Sequence, residues 1–179
     1  MYAISRVDNC KHLNMFITVH AATAMVVGSK IQSAPLAFLI SFLLHFVFDI
    51  IPHGDKELGK KFFGLDLRKF REHDDFRAIA LYGTLDACFL AVFLAFMFKN
   101  FAFVRDDTII WAIIGGILPD ILVAFYKLTN SKYLRWFYNL HNRNHLWLLD
   151  KMKKDLSVKL GIIWQATVWL LMVFLLFYL

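Results

Sequence analysis

Three long apolar runs, Ala78–Phe98, Thr108–Phe125 and Leu160–Leu179, decide what this chain can fold into. Each is close to the ~20 residues a helix needs to cross a bilayer's hydrocarbon layer. Their only ionisable residues are Asp86 and Asp120. A segment surrounded by lipid has no water for its backbone, so it must satisfy its own hydrogen bonds as a helix. Two further runs carry more polar groups. Pro35–Ile51 is interrupted by His45 and Asp49, and Leu13–Gly28 is shorter, rich in Ala, Thr and Val, with His20 inside it. The second reads as a short span or a re-entrant helix. The expected fold is all-α: a polytopic helical membrane protein of about five spans, forming a single membrane-embedded domain over residues 1–179.

Composition agrees. Of 179 residues, 59% are hydrophobic and 19% charged, against roughly 45–50% and ~25% in globular proteins. That excludes a disordered chain and argues against a soluble enzyme. Two cysteines, Cys10 and Cys88, exclude a disulfide framework and a cysteine-based zinc finger, and Cys88 reads as a packing residue. The N-terminus lacks the apolar core and small-residue site of a cleavable signal peptide.

The net charge of +6 does not point to nucleic acid, because Lys and Arg gather in the cytoplasmic loops of membrane proteins. With five spans, the N-terminus, the 52–77 loop and the 126–159 loop lie on one side. They hold 2, 7 and 8 of the 20 Lys and Arg residues, which leaves Lys30, Lys99 and Arg105 opposite. This bias predicts a cytoplasmic N-terminus and an outside C-terminus. Both basic loops mix cations with aromatics, as in Lys60–Arg71 and Ser131–Asp155. They read either as amphipathic helices lying on the cytoplasmic headgroup layer or as caps packed on the spans.

Ionisable side chains inside spans are costly and usually functional. Here they are His20, His45, Asp49, Asp86 and Asp120, and all fall within roughly 12 Å of the basic side at ~1.5 Å of rise per residue. Four spans thus place their unusual residue at one level of one leaflet. His45 and Asp49 are four apart and share a helix face, as do His141 and His145 in the second basic loop. Pro52 and His53 follow at the membrane edge, and Pro119 precedes Asp120. A proline inside a helix frees a carbonyl, here that of Gly115, while Gly115 and Gly116 permit close helix approach. Gln165 sits at a similar depth as a supporting or interhelical polar group.

Imidazoles with carboxylates suit zinc, manganese or iron and not calcium. The expected metal ligands are His20, His45, Asp49, His53, Asp86, Asp120, His141 and His145. Asp86 and Asp120 are also the expected catalytic groups. The set is large enough for one or two divalent ions, zinc ahead of manganese or iron. Taken singly, His45–Asp49 is equally an ion pair, and His141–His145 reads as a solvated face. Their shared depth favours a centre. His12 and His73 read as surface residues.

These residues also resemble a family. Thr18-Val19-His20, the run from Ser41 through His45 to Asp49 with Pro52-His53 behind it, Leu118-Pro119-Asp120 and the His pair are similar to elements of the bacterial inner-membrane, predicted metal-dependent hydrolases. The likeness covers about a third of the chain. Ile121, Leu122 and Val123 stand where that family continues with an acid and a histidine, and the order of elements differs. The resemblance implies a hydrolase of the bacterial inner membrane acting on phospholipids or lipid-linked phosphates.

The function favoured by sequence is therefore hydrolysis of an ester or phosphoester at the cytoplasmic headgroup layer by metal-activated water. The substrate would be a membrane lipid or lipid-linked molecule, with Arg143 and Lys61 placed to hold a phosphate. No G-x-S-x-G element supports a serine esterase. The alternatives are an ion or metal transporter, which the one-sided polar cluster disfavours, and a scaffold whose polar residues only join helices.

Overall fold

The computed structural model describes residues 16–51, 72–152 and 157–178. Its elements are α1 (Ile17–Lys30), α2 (Ala34–Asp49), α3 (Glu72–Asn100), a 3-10 turn (Ala102–Arg105), α4 (Asp107–Thr129), α5 (Arg135–Met152) and α6 (Val158–Tyr178). The described residues include no strand, as an all-α chain requires.

Among the described residues, three helices are long and apolar enough to cross a membrane, through Gly83–Asn100, Asp107–Thr129 and Lys159–Tyr178. Five were expected. The difference lies in α1 and α2, which have 14 and 16 residues and so extend about 21 and 24 Å, short of a ~30 Å core. Packing explains how α1 stays short. It lies among α2, α3, α4 and α6, and nine of its residues are buried. A helix enclosed by protein does not need a lipid-facing surface, and its Ala, Thr and Gly residues suit close neighbours. Large exposed apolar side chains lie on α2, α3, α4 and α6 instead, among them Leu43, Val92, Phe96, Ile121, Phe125, Leu170 and Phe174. Cys88 is exposed on α3 and does not pack in the core.

Local signals set several ends. Pro35 opens α2, where its missing N–H is harmless. Asp106 caps α4 by accepting from the Thr108 N–H at 2.8 Å, and the Thr108 hydroxyl also donates to Asp106. Asn130 ends α4 in the left-handed region at φ 49°.

The α2–α4 and α1–α4 contacts are the most extensive in the molecule, and two adjacent glycines make them possible. A Cβ on Gly115 would collide with the Phe38 carbonyl of α2, and one on Gly116 would lie 2.9 Å from Ala24 Cβ and 3.1 Å from the His20 carbonyl of α1. Gly115-Gly116 is therefore the point at which α4 holds both α1 and α2 at backbone distance.

The second basic loop contains α5, which packs on α2 and α4. Phe137, His141 and His145 are buried on its inner face, whereas Trp136, Leu140 and Trp147 are exposed. Lys60–Arg71, the other expected amphipathic segment, lies outside the described residues.

Candidate metal centre

The centre forms where the end of α2 meets the first turn of α1, the middle of α4 and the inner face of α5. Asp49, the last residue of α2, is its hub. Its Oδ2 lies 3.0 Å from His45 Nε2, 3.1 Å from His141 Nε2 and 3.0 Å from His145 Nε2. Its Oδ1 lies 3.2 Å from His20 Nε2. Asp120 Oδ1 stands slightly further off, 3.8 Å from His45 Nε2 and 3.6 Å from His141 Nε2. All six residues are at most 8% exposed.

Helical spacing produces this convergence. His45 and Asp49 are one turn apart on α2, as are His141 and His145 on α5, so each pair aims from one helix face. The His20 ring stacks on His45 at 3.9 Å between centroids and 28° between planes.

One hydrogen bond fixes the chemistry of His45. Its Nδ1 lies 2.8 Å from the Gly116 carbonyl. A carbonyl only accepts, so Nδ1 carries the proton, and it is the neutral tautomer of this ring that would turn an Nε2 lone pair inward toward a metal. Orientation of a ligating imidazole by a backbone carbonyl is the usual arrangement at metal sites. The carbonyl used is that of Gly116.

The spacings fit a small cation. A tetrahedral zinc with bonds of about 2.05 Å holds its ligand atoms about 3.3–3.4 Å apart. His45 Nε2, His141 Nε2 and Asp49 Oδ2 are 3.0–3.1 Å from one another, so an ion would spread them only slightly. Among the described residues, two groups have ligand atoms within 4.8 Å of one another: His20, His45 and Asp120, and His45, Asp49 and His141. Both depend on His45, whose Nδ1 is committed to Gly116, so they describe overlapping choices around one position.

Electrostatics points the same way. Among the described residues, the ion-pair partners of Asp49 are all imidazoles. Both of its oxygens and His20 Nε2 are buried without a hydrogen bond of regular geometry. With neutral imidazoles, Asp49 and Asp120 leave two buried negative charges, which a divalent cation cancels. Buried carboxylates without a cation or donors are costly.

Of the other two expected ligands, only Asp86 falls among the described residues. His53 lies outside the described residues. Asp86 is buried but serves a different purpose. The N-cap of α1 is Phe16, which has no side-chain acceptor. The Ile17 N–H donates to Asp86 Oδ2 at 2.6 Å, and the Thr18 hydroxyl donates to Asp86 Oδ1 at 3.0 Å. Gln165 of α6 joins this cap, its Oε1 accepting from the Phe16 N–H at 2.7 Å. An acid at a helix N-terminus is favoured by both the free N–H groups and the helix dipole. Asp86 thus supports the helix that carries His20 from its opposite side.

Sequence reasoning did not identify the Gly116 carbonyl or Asn144, whose Nδ2 donates to the Phe46 carbonyl at 2.6 Å and ties α5 to the end of α2. The only signal for Asn144 was its place beside His145. No protein-family model matches the chain, and no curated protein or solved structure matches it either.

Proposed function

We propose that this protein is a membrane-embedded hydrolase with one divalent metal centre, zinc ahead of manganese or iron. His45 Nε2, Asp49 Oδ2 and His141 Nε2 would hold the ion. The observation that carries this reading is their mutual spacing of 3.0–3.1 Å around inward-facing lone pairs. Two imidazoles and one carboxylate with an open fourth position form a catalytic zinc set. A bound divalent ion supplies a Lewis acid and a water that ionises near neutral pH.

The remaining residues divide the work. Asp120, at 3.6–3.8 Å from the histidine nitrogens, sits beside the open position and accepts the proton as general base. His145 and His20 flank Asp49, one beside each oxygen, and fix the orientation of its carboxylate. Asp86 takes a positioning role, since its carboxylate is engaged at the α1 N-terminus.

The Lys and Arg distribution supports a cytoplasmic N-terminus in the bacterial inner membrane. In that orientation the centre opens toward the cytoplasmic headgroups, where lipid esters and phosphoesters lie. The motif resemblance to the predicted metal-dependent hydrolases supports the same activity.

The test is metal analysis of the purified full chain in detergent, with headgroup release from mixed phospholipids. One equivalent of metal and metal-dependent release are expected, with both lost together in His45→Ala. Metal content unchanged in that variant would overturn the ligand assignment. A metal-loaded protein that releases nothing would overturn the hydrolase.

A further inference from the structure

A cleft of about 330 Å³ opens beside the centre, lined by Ile50, Leu140, Arg143, Asn144 and Trp147. Its position follows from the chain. Ile50 directly follows Asp49, and the other four residues are interleaved with His141 and His145 on α5. At 100° per residue, Asn144, Leu140, Trp147 and Arg143 occupy a stripe roughly 60–160° around the helix from His141. The α5 wall of the cleft therefore begins next to the ligand face and turns outward from it.

The lining has two chemistries. Leu140 and Trp147 are 50% and 52% exposed, an unfavourable state in water but the usual one for Trp at a bilayer interface. The Trp147 ring is held by Lys151, whose Nζ lies 3.8 Å from its centroid. Arg143 is exposed at the cleft, and the fork of a guanidinium matches two phosphate oxygens. Asn144 is fixed by its bond to Phe46, so the cleft floor is tied to the helix that ends in Asp49.

We infer that this cleft binds the phosphate of an anionic membrane lipid, with Arg143 on the phosphate and Leu140 and Trp147 against the glycerol and upper acyl chain. The inference rests on the hydrolase reading only in making the bound lipid a substrate, since binding is measured without turnover. Charge complementarity selects the occupant. Among the described residues, the only ionisable group lining the cleft is a cation, so a net-negative headgroup gains over a choline headgroup, whose ammonium opposes Arg143.

The experiment uses the metal-loaded full chain in mild detergent, offered equimolar phosphatidylglycerol and phosphatidylcholine and read by native mass spectrometry. At least a fivefold preference for bound phosphatidylglycerol is expected, falling to less than twofold in Arg143→Gln and restored in part by Arg143→Lys. Lys132→Gln makes the same change of net charge outside the cleft and should keep the preference. Equal loss in both Gln variants would assign the effect to bulk charge and overturn the site, as would a preference that survives Arg143→Gln. Glycerol phosphate is the competing source of the same chemistry. If it displaces the lipid at equal concentration, the ligand is a soluble phosphate and the lipid assignment falls. Metal content and melting temperature confirm that each variant is folded. Selective binding without headgroup release would remove the hydrolase and leave the site. Release with no dependence on Arg143 would do the reverse.

Discussion

Asp49 and Asp86 are both carboxylates buried in apolar helices, at 1% and 8% exposure, yet their surroundings differ in kind. Asp86 accepts from a backbone N–H and a hydroxyl at the start of α1. These are neutral donors in fixed positions, and they satisfy it without another ion. Asp49 faces four imidazoles at 3.0–3.2 Å, and the Nδ1 of one, His45, is already given to the Gly116 carbonyl. Depth and residue type are alike. The two acids differ in their partners: fixed neutral donors for Asp86, and for Asp49 imidazoles that could share a metal ion with it.

Breaking the Asp49 side should have the largest effect. Asp49→Asn should remove most of the bound metal. The stability the ion contributes, about 4 kcal/mol where free metal is a thousandfold above its dissociation constant, should go with it. Thermal melting with and without chelator checks this: wild type should shift strongly on chelation, and the variant hardly at all. A variant that still melts lower when chelated would mean that Asp49 is not the hub.

The glycine pair should come next. Gly115→Ala drives a methyl into the Phe38 carbonyl, which is backbone and cannot move alone. Overpacking of this sort costs about 1–3 kcal/mol, and separation of α2 from α4 should also weaken metal affinity. Melting temperature and metal affinity should fall together, and a fall in stability alone would separate helix packing from the centre.

On the other side, Asp86→Ala should cost about 0.5–2 kcal/mol, as for loss of a helix cap, while one equivalent of metal stays bound. Loss of metal equal to that in Asp49→Asn would erase the distinction between the two acids. Gln165→Leu should have the smallest effect, about 1 kcal/mol for one backbone-directed bond, again with metal retained. Denaturant unfolding with metal analysis checks both.

The same contrast shows what the sequence could disclose. His20, His45, Asp49 and Asp120 were legible because each is a polar exception in an apolar run, and their common depth survives any packing that keeps the helices side by side. His141 and His145 were legible from their one-turn spacing. Asp86 met the same criteria and has a different role, because the absence of a local cap at Phe16 matters only once α3 and α6 are placed beside α1. The span count depended on tertiary context too. Hydropathy measures preference for lipid, and α1 is shielded from lipid by four other helices. The Gly116 carbonyl carries no side-chain signal at all.

The ligands of the centre are spread over three stages of synthesis. His20, His45 and Asp49 are made first, Asp120 next, and His141 with His145 last. At 5–20 residues per second, the chain needs on the order of 5–20 s to pass from Asp49 to His141. During that interval Asp49 has at most the histidines of its own hairpin and Asp120 for company. A cation captured early would be held weakly and exchanged freely, and it would be locked in only when α5 closes over the end of α2. On the proposed reading, metal selection is therefore set at the last folding step, when α5 closes over the end of α2.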